Sequence, residues 1–276
     1  MPVEDVIKRI YELPSIPHVV QELIANFSSH TANAESISRS IQSDPAIAAK
    51  VLRLANSVRY GAGRKVASLD SAVIMLGSDA LRTLVIASGV TSAVKNIPGL
   101  DMRGFWHDSF MVANLSKLIA RNASGCDPEI AFTCGMLHKI GLPLMYLVQT
   151  DTMKTIESMV ANGNSQINAE NAKLGYNHNH VGARLAESWK FPEIITTALR
   201  HQEAPLQASP FTPYAAIIAL AHNILQRLDD DIDPKTIVSE LPDQLTSALA
   251  LNSFKLFEQL EQLAQTEDDI DEMLAA

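Results

Sequence analysis

Residues 128–149 read Pro128-Glu-Ile-Ala-Phe-Thr-Cys-Gly-Met-Leu-His138-Lys139-Ile-Gly-Leu-Pro-Leu-Met-Tyr-Leu-Val-Gln149. Phe132, Met136, Leu137, Ile140, Leu142, Leu144, Met145 and Leu147 leave almost no polar face. A helix that is apolar nearly all round belongs at the centre of a bundle, so the pattern predicts one central helix over Pro128–Gln149. His138-Lys139 lies inside it, between Gly135 and Gly141, which let neighbouring backbone come close. A buried imidazole needs a partner, and a buried ammonium needs one more urgently or must snorkel to water. The plain expectation for His138 is a hydrogen bond to a backbone carbonyl.

Helical periodicity continues on both sides. Val19, Val20, Leu23, Ile24 and Phe27 share one face behind Pro17, and Ile47, Val51, Leu54 and Ala55 do so behind Asp44-Pro45, whose carboxylate and fixed φ suit a helix start. Ser68 and Ser78 are N-cap candidates for Leu69–Leu76 and Asp79–Val94, with Gly77 as the break. Further helices fit 104–122, 152–161, 166–174, 180–189, 192–202, 213–228 and 253–267. No run alternates apolar and polar residues between turn signals, so the fold class is all-α. Gly and Pro cluster in 56–67 and 96–103, and the second stretch separates an N-terminal helical lobe from a central one. From Glu258 onward the chain carries seven acids and no Lys or Arg, which reads as a solvated helix or tail.

Composition narrows the class. The chain has 276 residues, 47% hydrophobic and 19% charged, enough to bury a substantial core and too apolar to be disordered. A net charge of −9 argues against general duplex-DNA binding, where phosphate neutralisation dominates affinity. Cys126 and Cys134 cannot make a disulfide framework, and a reducing cytoplasm is their simplest home. Uninterrupted apolar stretches such as Leu142–Val148 and Tyr214–Ala221 fall short of the ~20 residues a spanning helix needs. The acidic start Met-Pro-Val-Glu-Asp does not resemble a signal peptide.

Glycine-rich phosphate loops, Gly-x-Ser-x-Gly, Cys-x-x-Cys and His-Glu-x-x-His are all missing from the sequence. The chemistry-bearing candidates are therefore histidines. His178, His180, His201 and His222 could converge on His138, with Asp108 upstream. His178 and His180 are two apart, so only one is expected to point inward. His201 falls in a last helical turn, where the helix dipole favours its protonated form and disfavours metal ligation. A second candidate is the basic run Lys50, Arg53, Arg59, Arg64 and Lys65, uninterrupted by any acid between Asp44 and Asp70. It suits an acidic partner or a phosphorylated ligand, although short charge runs are more often a solvated helix end and loop. Trp106 and Trp189 fall at apolar helical positions and read as core packing.

Three early segments resemble the HDOD family, degenerate relatives of the HD metal-dependent phosphohydrolases: Leu13-Pro-Ser-Ile-Pro17, the stretch from Asp44-Pro-Ala-Ile to Ala-Asn-Ser57, and Ala72-Val-Ile-Met-Leu-Gly77. Phe105-Trp-His-Asp-Ser109, Ala131-Phe-Thr-Cys-Gly-Met-Leu-His-Lys-Ile-Gly141 and the segment His180–Pro192 resemble it too. The resemblance implies an HD-like helical bundle core in a bacterial signalling protein. It places an HDOD domain over 13–205, divided into an N-terminal lobe (13–97) and an HD-like core (98–205). A helical extension with an acidic tail follows over 206–276.

The HD enzymes hold metal through a first His, a His-Asp doublet and a distant Asp. By resemblance the doublet falls on His138-Lys139, the first His on Asp108 and the distant Asp near His222 or Asn223. The additional histidines of two-metal relatives fall on His180 and His201, and the neighbour that would complete a pair with His201 is Gln202. Lys139 puts a positive charge where a carboxylate belongs. At ~5 Å and an effective dielectric near 20 it would repel a divalent ion by roughly 6–7 kcal/mol before screening. The resemblance thus implies a non-catalytic module binding a signalling protein, small ligand or nucleotide, with no cofactor expected. The alternative is a divergent phosphohydrolase with a single divalent metal (zinc, or iron or manganese) on His138, His180, His201 and Asp108.

Overall fold

The structure, a computed structural model, describes residues 3–9, 13, 15–25, 34–42, 44–56 and 68–264, the side chains of 34–36, 40, 54 and 262–264 excepted. The described residues form helices and no strand. The first six helices are α1 (Val3–Ile7), α2 (His18–Ala25), α3 (Ala34–Gln42), α4 (Pro45–Ala55), α5 (Leu69–Leu76) and α6 (Ser78–Ala93). Then come α7 (Met102–Asn122), α8 (Pro128–Leu137), α9 (Gly141–Val148), α10 (Thr150–Ala161), α11 (Gln166–Leu174), α12 (His178–Ser188) and α13 (Glu193–His201). After a 3₁₀ turn at Pro205–Gln207 the chain closes with α14 (Pro213–Asp229), α15 (Pro234–Ser239), α16 (Asp243–Ala248) and α17 (Ser253–Ala264).

Local capping explains several of the starts. Asp44 Oδ1 accepts the amides of Ala46 and Ile47, Ser68 accepts that of Ser71, and Asp127 accepts those of Glu129 and Ile130 ahead of Pro128. Ser78 does not cap as expected: it is the first residue of α6, and Gly77, with φ +84°, stands before it without a side-chain bond. The start expected at Gly104 moves to Met102 because Asp101 caps α7. α1, α3, α15 and α16 have no counterpart among the expected helices; all four are short.

A single cluster of buried apolar side chains runs from Val6 to Leu260. α6 carries the N-terminal helices, packing on α2, α3, α4 and α5 on one side and on α8 on the other. α7 packs along α8, α14 and α17, while α12 lies against α9 and α13. Trp106 is buried as expected, edge-on to Phe105 with centroids 4.7 Å apart, and its Nε1 donates to the Val94 carbonyl. The run Pro128–Val148 is long and apolar enough to cross a membrane by length and composition, contrary to the count of uninterrupted stretches. In the fold 83% of its most apolar stretch is buried inside the protein, as befits the centre of a bundle.

The expected single helix over 128–149 is in fact two. Between α8 and α9 the hydrogen bonds tighten to three-residue spacing: His138 N–H to Gly135 O, Ile140 N–H to Leu137 O, and Leu142 N–H to Lys139 O. Pro143 supplies the physical reason. It has no N–H for the Lys139 carbonyl four residues back, and Leu142 takes that carbonyl instead. α9 also lies very close to α12. A Cβ on Gly141 would sit 2.2 Å from the His178 carbonyl oxygen and 2.6 Å from the Gly182 nitrogen, so only glycine permits this seam. Gly135 plays the same part against α7.

Candidate functional site

His138 occupies the tight turn between α8 and α9 and is buried. Its Nδ1 lies 2.8 Å from the Gly135 carbonyl, the backbone bond expected for it. That bond requires the proton on Nδ1 and leaves a lone pair on Nε2, which has no partner among the described residues. The His222 ring, from the middle of α14, stands 6.1 Å away between centroids, and its buried Nδ1 is likewise unpartnered. Burial holds His138 well below the ordinary histidine range, and the neighbouring Lys139 and His222 push it further down. Burial and then Lys139 bring His222 down to about 4. Both rings are therefore neutral at pH 7.

The turn that displaces the Leu142 amide also leaves the His138 carbonyl without its helical partner. Gln202, just past α13, fills the gap: its Nε2 donates to the His138 carbonyl at 2.9 Å and to that of Leu199 at 3.0 Å. The residue standing where two-metal relatives would carry a histidine is thus a structural clamp on the turn.

Lys139 reaches back to α7, where Nζ donates to Asp108 Oδ2 at 3.2 Å. The Lys139 side chain is 22% exposed and that of Asp108 41%, so the pair sits at the mouth of the cluster. His107 Nδ1 lies 3.7 Å from the other carboxylate oxygen. Burial followed by the Asp108 charge raises the Asp229 carboxyl, which places the end of α14 at the same rim.

Of the two histidines at the start of α12, His178 turns inward and His180 outward, as the two-residue spacing required. His178 Nδ1 is 2.8 Å from Glu170 Oε2, and its backbone N–H donates to the same oxygen at 2.8 Å. Glu170 is completely buried and accepts a further bond from Gln166 Nε2 at 2.7 Å. Burial pushes the Glu170 carboxyl up, but the His178 charge and these donors outweigh it and hold the group below its ordinary value. Nothing in the sequence flagged Glu170, which lies in a polar helix eight residues before its partner. His180 Nδ1 accepts the Asn177 N–H, closing a capping box on α12. His180 is electrostatically coupled to Arg200, His178 and His201.

The structure therefore divides the expected residues. Asp108, His138, Lys139 and His222 share one locus, with His178 coupled to it. His180 lies outside it, on the exposed side of α12 near Arg200, and His201 ends α13. Among the described residues no three His, Cys, Asp or Glu side chains form a group able to hold a metal ion. His138 and His222 offer two nitrogens, but the carboxylate at that locus is committed to an ammonium. The donor set does not fit the oxygen-rich, two-metal centre of a phosphohydrolase.

In the basic run, Lys50 Nζ donates to Ser92 Oγ at 2.8 Å. Burial, then Lys95 and Arg53, lower Lys50 to about 8. Arg59, Arg64 and Lys65 lie outside the described residues, as does the acidic tail from residue 265.

Residues 13–205 match the HDOD domain, and the chain belongs to the HDOD family. A crystal structure from Shewanella amazonensis SB2B, described as a "Putative phosphohydrolase", is 33% identical over 98% of this chain and 96% of its own, with a TM-score of 0.83. An "HDOD domain protein with unknown function" from Geobacter sulfurreducens shares the fold at 22% identity, TM-score 0.73, over 99% and 93% of the two chains. A "Putative signal transduction protein" from Marinobacter aquaeolei VT8 superposes with a TM-score of 0.78 at 23% identity, covering all of this chain and 60% of that one. Among curated proteins, an uncharacterized protein of Treponema pallidum (strain Nichols) is 23% identical over 94% of this chain. The chain spans about half of that relative's length.

Proposed function

We propose that this protein is a non-catalytic regulatory module of a cytoplasmic signalling system, which keeps an HD-type scaffold and works by binding a partner protein or a small ligand. The observation that carries this reading is the Lys139–Asp108 ion pair. It fills the doublet position with an ammonium and neutralises the Asp108 carboxylate at the mouth of the His138 cluster. A hard divalent ion entering there would face a like charge and only imidazole donors. The signal-transduction description of the Marinobacter protein supports the same direction.

A second reading, a divergent single-metal phosphohydrolase, draws on one observation. The Nδ1 bond of His138 to Gly135 orients Nε2 as second-shell bonds orient metal-ligating histidines, and the similar Shewanella protein carries a phosphohydrolase description. It would need Asp108 to leave Lys139.

Elemental analysis of the purified chain, paired with a phosphodiester hydrolysis assay, separates the two. The regulatory reading expects substoichiometric metal and no turnover. It further expects Lys139→Asp, which restores the doublet carboxylate and releases Asp108, to gain zinc or manganese relative to the natural chain. Stoichiometric metal in the natural chain, with hydrolysis lost in His138→Ala, would overturn it.

A further inference from the structure

Arg184, Arg200 and His180 line a cavity of about 400 Å³ together with Val3, Gly175 and Tyr176. It opens where α1 packs on α12, and none of its lining residues belongs to the Asp108–Lys139–His138–His222 locus. The volume lies in the range that takes small organic ligands.

Its charge is unbalanced. Arg184 Nη1 donates to Glu187 Oε2 at 3.1 Å, and Arg200 Nη2 donates to Oε1 of the same carboxylate. One carboxylate faces two guanidiniums, each with five N–H donors of which Glu187 engages few. His180 adds a neutral donor: since Nδ1 accepts the Asn177 amide, the ring proton is on Nε2. The backbone amides at the start of α12 contribute nothing, because Glu170 and the Asn177 side chain already take those of His178, Asn179 and His180. Recognition in this cavity therefore rests on side chains.

We propose that this cavity binds the phosphoryl group of a small-molecule phosphate monoester, of mononucleotide size or less, through Arg184, Arg200 and the Nε2–H of His180. Arg184 and Arg200 against Glu187 leave one surplus positive charge, which draws an anion to the cavity. A phosphate monoester presents three oxygens and can engage both fork-shaped guanidiniums and the Nε2–H of His180 at once, where a carboxylate presents only two. The cavity is open to solvent, so the bound group would be exchangeable, in keeping with a sensed ligand. The inference stands apart from the regulatory reading, since it concerns a locus that the Lys139–Asp108 pair does not touch.

Isothermal titration calorimetry of the full chain at low salt, with adenosine 5′-monophosphate and inorganic phosphate as separate probes, tests it. Binding of the nucleotide is expected, more weakly for phosphate alone. Arg200→Gln and Arg184→Gln should each reduce nucleotide affinity at least about tenfold. His138→Ala should leave it unchanged. Arg184 is the more exposed of the two arginines, so Arg184→Gln reports even if Arg200→Gln fails to fold. Thermal unfolding of each variant separates lost binding from lost structure. The proposal is overturned if neither probe binds up to about 10 mM, if the arginine variants bind like the natural chain, or if His138→Ala abolishes binding. Binding of inorganic phosphate with the nucleotide excluded would overturn the monoester assignment.

Discussion

Two sets of histidines in this protein, drawn partly from the same helices, have opposite surroundings. Around His138, neutral rings meet in a largely buried locus, and Lys139 and Asp108 at its mouth satisfy each other. Around His180, the ring sits exposed beside two arginines that share one carboxylate. His178, paired to the buried Glu170, is coupled to both sets. The imidazole is the same group in each place. The partner charge and access to water decide whether it can take a ligand, and the inner set has used up its charge while the outer set has some to spare.

The sharpest way to break this contrast is to remove its shared element. Glu170→Ala would leave the buried His178 amide and ring without their acceptor, and losing one partner of a buried pair costs about 3–5 kcal/mol. Urea unfolding should show this loss, with Glu170→Gln recovering part of it through hydrogen bonding alone. A loss below about 1 kcal/mol, in the range of a surface pair, would mean that the two sets are not held apart by this pair.

Gln202→Ala tests the inner set alone. It strips the His138 carbonyl of its donor, an unsatisfied buried acceptor worth about 1–3 kcal/mol in the same measurement. Binding at the arginine cavity should survive it.

The smallest effect is a pH dependence. Unfolded, His222 takes up its proton near pH 6.5; folded, it does so at about 4. Between those values the unfolded chain binds more protons, so this contribution to stability is whole above about pH 6.5 and is lost as pH falls toward 4. The difference between the natural chain and His222→Asn in thermal unfolding across that window should amount to about 1–2 kcal/mol, discounted for the partial exposure of the ring. Parallel curves for the two proteins would show that the inner set is more solvated than its burial indicates.

Much of the fold was legible from short-range signals. Asp44-Pro45 and Ser68 announce helix starts whose caps form as expected. The core position of 128–149 follows from its missing polar face. What escaped was the break at His138–Ile140. An all-apolar run has no face whose drift would reveal a change of helical phase, and Pro143 was the signal available. Glu170 escaped for a different reason: its partner lies across a turn, and nothing local distinguishes a solvated helix glutamate from a buried one. Arg184 and Arg200, sixteen residues apart on separate helices, carried no shared signal at all.

By itself the sequence determined that the chain is helical and that 128–149 is its centre, which depend on residue type and on spacing within one element; its resemblance to the HDOD family added that an ammonium stands where the doublet carboxylate belongs. Only the tertiary structure decided that Lys139 closes on Asp108, that Gln202 clamps the turn beneath His138, and that His180 lines a cavity with two arginines instead of joining His138 and His222. Such pairings join residues far apart in the chain, and their geometry is set by how helices pack, which no local pattern encodes.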